Sequence, residues 1–265
     1  MPFATTPDGI KLYYETFGIG DPFLLVAGQG TDHHGWDEVI KDFAEDYQII
    51  VYDHRGTGQS DKPVQPPYST RGFAQDAVAI LDHLSIDRAH IYGISMGGRI
   101  CQWLAIDYPE RVGAVILGCT TPGNAHGVRR PQEIDALMIK GEREALRKTL
   151  VSPAWMKLHP KILEKWNEQE KNPIPEHAQR NHYLASENHN AWDALSGIKT
   201  PTLIIHGSED KINMTENAFL MMERIPNAEL QIIKGGRHLF FIEFQEEASR
   251  VVLDFLSRHP MTRRN

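Results

Sequence analysis

The sequence predicts an α/β fold: a mostly parallel, twisted sheet with helices on both faces and one helical insertion. Three observations predict it. Short apolar runs alternate with amphipathic stretches, the pattern of strands joined by crossover helices. The runs "PFLLVAG", "YQIIVYD" and "RVGAVILGCT" are apolar throughout, as strands covered on both faces require. From Pro122 to about Ser196 that rhythm stops, and no stretch reads as a buried strand. At 265 residues, 41% of them hydrophobic, the chain can build a large core without disulfides or a structural metal.

Taken in order, "TPDGIKLYYETFG" carries Asp8-Gly9 ahead of an alternating run and predicts a hairpin. "PFLLVAG" is the first buried strand. "GWDEVIKDFAEDY" spaces Trp36, Val39, Ile40 and Phe43 as a helix does, and "YQIIVYD" is the next strand. "TRGFAQDAVAILDHLSI" is an amphipathic helix, "RAHIYGI" a strand, and "MGGRICQWLAIDYP" a helix stopped by Pro109. "RVGAVILGCT" is a strand. The insertion follows, rich in Trp, Met, His and charge, with helices at "QEIDALMIKGEREALRKTL" and "PKILEKWNEQE". It is too long for a simple crossover and reads as a cap over the sheet. "TPTLIIHG", "TENAFLMMERIP", "AELQIIKG" and "EFQEEASRVVLDFLSRH" resume the strand–helix alternation. The expected division is core over 1–121, cap over 122–196 and core again over 197–265.

Composition excludes several classes. A net charge of −7 offers no electrostatic footprint for nucleic acid. No stretch approaches the ~20 apolar residues of a membrane span. "MPFATTPDGIKLYY" has no basic region followed by an apolar run, so no secretory signal is expected. Cys101 and Cys119 lie in apolar segments outside any CxxC pair and read as reduced core thiols. These features point to a cytoplasmic protein. The 13 histidines invite a metal reading, but no HExxH or Cys/His cluster appears, and the side chains of the adjacent His33 and His34 are expected to point apart. The glycines of "GQG" and "GTG" do not form a dinucleotide fingerprint. No metal and no cofactor are expected. The assembly is left open, with a homodimer as one outcome.

"HIYGISMGGRI" reads apolar up to Ile94 and then breaks at Ser95. Gly93-x-Ser95-x-Gly97 at a strand-to-helix turn is the nucleophile-elbow pattern. The turn is so tight that side chains two before and two after the serine would collide. The helix start supplies unpaired N–H groups, and that of Met96 points at a developing oxyanion. A nucleophilic serine needs a base, and the base an orienting acid, in the chain order Ser, Asp or Glu, His. "TLIIHGSEDKI" puts Asp210 after one buried strand, and "LQIIKGGRHLFF" puts His238 after the next. Glu209 is the nearest competitor to Asp210. An isolated aspartate or loop histidine is usually just a turn or surface residue; their joint placement favours the catalytic reading. The second oxyanion donor is expected from the loop "GQGTDHHGW", through the backbone N–H of Gln29. Trp36, Trp155 and Trp192 are candidates for the substrate pocket, against the plainer role of tryptophans, Trp166 included, as packing within the cap.

These residues resemble the α/β-hydrolase superfamily over essentially the whole chain, through "GISMGG", "YDHRGTGQSDKP", "YPERVGAVIL", "PTLIIHGSED" and "GGRHLFFIE". Within it, "GQGTDHHGWDEV", "SMGGRICQWLAIDYPERV" and "NAWDALSGIKTPTLIIHG" are most similar to 3-oxoadipate enol-lactonases and related esterases. Aminoacrylate hydrolases share the "YDHRGTG" style. The sequence departs from the superfamily's frequent His-Gly oxyanion loop, having Ala27-Gly28-Gln29-Gly30, and places Arg237 before His238 where a small residue is common.

The resemblance and the residues together lead to an expected cofactor-free serine hydrolase of small carboxylic esters or lactones, working through an acyl-enzyme on Ser95. A C–C bond hydrolase of dienoic ring-cleavage products, a perhydrolase and a non-catalytic ligand receptor are the alternatives on the same fold. Enol-lactonase relatives handle substrates with a carboxylate, so a cation is sought among Arg99, Arg129, Arg130 and Arg237. Each taken singly reads as a solvated surface arginine, and neutral esters are expected to be cleaved at least as well as anionic ones.

Overall fold

The computed structural model describes residues 2–65, 68–140, 142–169, 171 and 173–261. Among these, eight strands form one sheet: β1 (Phe3–Thr5), β2 (Lys11–Phe17), β3 (Asp21–Val26), β4 (Tyr47–Tyr52), β5 (Ala89–Ile94), β6 (Val112–Gly118), β7 (Thr202–Gly207) and β8 (Glu229–Ile233). Their order across the sheet is β1-β2-β4-β3-β5-β6-β7-β8. The β1–β2 hairpin turns at Gly9, whose φ of +84° suits a residue without Cβ. β2 runs antiparallel to β4, and every later pairing is parallel.

The helices are α1 (Ile40–Phe43), α2 (Thr70–His83), α3 (Met96–Asp107), α4 (Gln132–Lys140), α5 (Arg143–Leu150), α6 (Pro153–Leu158), α7 (Pro160–Gln169), α8 (Glu176–Glu187), α9 (Glu216–Arg224), α10 (Phe240–Glu243) and α11 (Gln245–Ser257). Successive strand residues point to opposite faces, so each face collects its own core. Leu24, Val26, Ile91 and Leu117 meet α2, α3 and α9 through Phe73, Ile100, Leu104 and Met221. Phe23, Leu25, Ile49 and Ile205 meet α1, α10 and α11 through Phe43, Phe240, Val252 and Phe255. β5, β6 and β7 are buried at every position, which is why their sequences carry no polar alternation.

Between β6 and β7 the described residues contain five α-helices, α4 to α8, a 3₁₀ turn at Trp192–Gly197 and no strand. A bridge between Gly123 and Asn190 draws the two ends of this insertion together. No described helix is long and apolar enough to cross a membrane. Two helices are shorter than the sequence pattern implies. "QEIDALMIKGEREALRKTL" divides into α4 and α5, because Glu142 has a ψ of 73°, outside the helical region. "GWDEVIKDFAEDY" yields only a 3₁₀ turn, His33–Trp36, and the four-residue α1. The Asp32 side chain accepts the His34 N–H and caps that turn, and Trp36, Val39 and Phe43 reach the core without a continuous helix.

The strand order reverses between β3 and β5, which opens a crevice outside their carboxyl ends. Glycines let the chain close at this point. A Cβ on Gly93 would lie 2.2 Å from the Gly97 carbonyl oxygen, and one on Gly97 would lie 2.0 Å from that of Val26. Backbone cannot yield there as a side chain can. Gly93→Ala or Gly97→Ala should therefore cost at least about 1–3 kcal/mol, read as a fall in Tm of several degrees. Gly197→Ala, where an added Cβ meets nothing within 4 Å, should leave Tm unchanged.

Candidate active site

Ser95 follows β5 and opens α3 with a φ of 55° and a ψ of −117°, a backbone conformation that costs a non-glycine residue about 1–3 kcal/mol. Three bonds hold it there. Its N–H donates to the Gly118 carbonyl (2.9 Å), and its own carbonyl accepts from Thr120 Oγ1 (2.7 Å) and the Arg99 N–H (3.3 Å). On the other side of the reversal point, the position a Cβ would take on Gly28 is 3.6 Å from Ser95 Cβ. The loop after β3 thus lies directly against the serine. Among the described residues, the backbone N–H groups of Gln29 and Met96 donate to no protein acceptor.

Asp210 lies in the loop after β7, its carboxylate fully buried. Oδ1 accepts from the backbone N–H groups of Ile212 (2.8 Å) and Asn213 (3.1 Å). Oδ2 accepts from Nδ1 of His238 (2.8 Å) and lies 3.1 Å from Nε2 of His206. Burial pushes the Asp210 carboxyl up, but His238 and His206 together overcome it and hold the group well below the usual carboxylate range. An ionised carboxylate only accepts, so Nδ1 of His238 carries the proton, which leaves Nε2 as the free acceptor. Glu209, the competing acid, is exposed and stands 3.7 Å from Nε of Arg237.

Two supporting histidines escaped the sequence reading. His206 sits in β7, its Nε2–H shared between the Asn213 carbonyl (2.7 Å) and Asp210. His182 comes from α8 in the insertion. Its Nε2 donates to the Arg55 carbonyl (2.8 Å), and its Nδ1 accepts the Gly30 N–H (3.3 Å), pinning the loop that carries Gln29. Burial, then the neighbouring His54, pull His182 down to about 3, so it stays neutral and keeps that acceptor. The only sequence signal for His206 was its spacing, four residues before Asp210. His182 had none, because its partners lie more than a hundred residues away.

Cys119, at the end of β6, completes the floor. Its Sγ, an Asp210 oxygen and a His238 nitrogen all lie within 4.8 Å of one another. Burial holds this thiol well above its ordinary value, and so protonated, which makes it a neutral wall and a poor metal ligand. Both Asp210 oxygens are already occupied by protein donors.

The tryptophans expected in the pocket each pack against neighbouring rings. Trp36 is 0% exposed, against Tyr92 and Phe241 beneath the sheet. Trp192 lies flat on His126, with Arg224 over its ring. Trp155 stacks on His159 and Trp166 within the insertion. Among the arginines, Arg129 is exposed, Arg130 is paired with Asp135 and Glu187, and Arg237 donates to the carbonyls of Lys148 and Val151. Arg99 overturns its surface reading: it is 3% exposed.

The carboxyl edge of the sheet thus carries a serine on a strained turn after β5 and an imidazole oriented by a buried carboxylate after β7 and β8. The chain belongs to the alpha/beta hydrolase fold family, which it matches over residues 21–245. It is 30% identical to 3-oxoadipate enol-lactonase 2 of Acinetobacter baylyi over 96% of both chains. It is 30% identical to the putative carbamate hydrolase RutD of Azorhizobium caulinodans, over 96% of this chain and 98% of that one. Among solved structures it superimposes with a TM-score of 0.84 and 31% identity on Est816, an N-acyl homoserine lactone degrading enzyme, covering 96% of this chain and 100% of the other.

The lowered Asp210 carboxyl has a signed consequence. A depressed folded-state value adds stability above the unfolded value, about 3.9 for aspartate, and that stability is lost as pH falls further. Asp210→Asn should therefore melt below wild type at pH 7, and the gap should shrink as pH falls below about 4. Thermal melts across that range check it. A gap that is constant with pH would mean the loss is one of shape alone.

Proposed function

We propose that the protein is a cofactor-free serine hydrolase of small carboxylic esters or lactones. Two features support this reading: the strained Ser95 turn at the end of β5, and the Asp210–His238 hydrogen bond in the loops after β7 and β8. In this mechanism Ser95 Oγ attacks the carbonyl carbon while Nε2 of His238 takes its proton. Asp210 holds the imidazole in the required tautomer and stabilises the imidazolium. The N–H groups of Gln29 and Met96 receive the oxyanion, being free of protein acceptors and set at the start of a helix and in the adjoining loop. The tetrahedral adduct collapses as His238 protonates the leaving alkoxide, and water repeats the sequence on the acyl-enzyme.

The relatives support this substrate class: two carry lactone chemistry in their names, and the third a carbamate, which also presents an acyl carbon to a nucleophile. Residues 122–196 serve as the cap, and through His182 they hold the oxyanion loop in place.

Ser95→Ala should abolish ester turnover by several orders of magnitude and keep the wild-type Tm or better, since it leaves the fold intact. A fluorophosphonate should label Ser95 alone, as read by peptide mass spectrometry. Labelling elsewhere, or a Ser95→Ala enzyme that still turns over, overturns the assignment. Asp210→Asn should lower kcat by up to ~10⁴-fold, and Glu209→Gln far less. The reverse order would move the acid to Glu209.

A further inference from the structure

We propose that His206 is a positioning residue that tempers His238 as a base, by donating to the same oxygen of Asp210. This role rests on the serine-hydrolase reading for its reaction, but the titration of His238 can be followed with no substrate present.

β7 is buried at every position, and His206 is its one titratable residue. Side chains alternate along a strand, so His206 shares the face on which Ile204 meets α3 and α9. An imidazole buried there is costly unless it is hydrogen-bonded. Its Nδ1 has no partner among the described residues, so its polar contacts all fall on Nε2. Nε2 donates to the Asn213 carbonyl (2.7 Å) and stands 3.1 Å from Oδ2 of Asp210. A carbonyl and a carboxylate only accept, so the hydrogen lies on Nε2, between the two. The carbonyl alone would satisfy the ring. The second contact falls on the acid that orients His238.

Asn213 fixes the two groups relative to each other. Its carbonyl accepts from His206, and its N–H donates to Oδ1 of Asp210 (3.1 Å). Its side chain is held at both ends: Nδ2 donates to the Cys119 carbonyl (2.6 Å), and Oδ1 accepts from Nη2 of Arg99 (3.0 Å). Ring and carboxylate therefore hang on one residue that is tied to the end of β6 and to α3.

Oδ2 of Asp210 thus faces two rings, His238 Nδ1 at 2.8 Å and His206 Nε2 at 3.1 Å. Burial opposes the charge on Asp210, and His238 and then His206 overcome it. Each donor favours the ionised carboxylate by drawing on its charge. The charge that His206 draws is no longer available to stabilise an imidazolium at His238. That matters to the proposed reaction, because His238 must hand its proton on to the leaving alkoxide, and an acid that is too weak gives it up slowly. The other ionisable groups around the pair do not compete. Cys119 is held protonated by burial, Arg99 is turned to Asn213, and Glu209 and Lys211 are exposed.

The test follows the ring signals of His238 by NMR through a pH titration, beside the pH profile of kcat/KM on methyl butyrate. His206→Leu removes the donor. It should move the His238 midpoint and the acid limb of the profile up together, by about 0.5–1 pH unit, with KM unchanged. His206→Gln places an amide N–H where Nε2 stands and should restore the wild-type profile. A residue that only packs would lower Tm and leave the midpoint in place. Wild type gives a third reading, which holds even if His206→Leu does not fold: the His206 ring signals should shift at the His238 midpoint, because both rings share one oxygen. A His206→Leu midpoint that stays or moves down, an equal shift in His206→Gln, or wild-type His206 signals that stay flat while His238 titrates would each overturn the proposal. If no ester is cleaved and Ser95 takes no label, the hydrolase reading fails, and the NMR titration still decides whether His206 tempers His238.

Discussion

The turn from β5 into α3 brings three lengths of backbone closer together than any side chain permits. Gly93 meets the carbonyl of Gly97, Gly97 meets those of Val26 and Ala27, and Gly98 meets the side chain of Thr120. This contact seats the start of α3 on the ends of β3 and β6. The serine inside it has little choice of conformation, and its positive φ follows from the closure around it. Everything else in the crevice is referred to that fixed point. The β3 loop arrives beside Ser95 because β3 pairs directly with β5. The loops after β7 and β8 arrive because those strands continue the parallel sheet in register on the other side.

Two buried charges beside the turn are treated in opposite ways. Asp210 is surrounded by two backbone N–H groups and two histidine rings, so its ionised form is favoured despite complete burial. Arg99, two bonds away through Asn213, has one partner. The same loop, Asp210 to Asn213, serves both. A protein that can satisfy a carboxylate so fully has the means to pair a guanidinium, and the contrast is what sets Arg99 apart from the paired arginines at Arg55, Arg111 and Arg130.

The insertion acts on the crevice through the backbone. His182 reaches from α8 to the Gly30 N–H and the Arg55 carbonyl at once. It thereby ties the position of α8 to the loop that carries Gln29. A neutral imidazole can donate at one nitrogen and accept at the other, which lets one ring bridge two backbone groups.

The sequence by itself determined the strand–helix alternation, the burial of the central strands and the strained serine turn. Each of these is written locally: apolar runs encode burial on both faces, and glycines two residues either side of Ser95 encode a close approach of backbone. Asp210 and His238 were legible as polar residues placed just after two strand ends, and the sheet edge they share brings them into one hydrogen bond. The tertiary structure alone decided what each side chain faces. Trp36, at helical spacing in a loop that resembles a pocket wall, turned under the sheet because Tyr92 and Phe241 leave an apolar slot there. "GWDEVIKDFAEDY" gave up its helix because a capped 3₁₀ turn buries the same residues. His182 and Arg99 bond to partners more than a hundred residues away along the chain. Sequence spacing reports neighbours within a turn of helix or a pleat of strand, and the direction in which a buried polar group finds or lacks its partner is set by how distant segments pack.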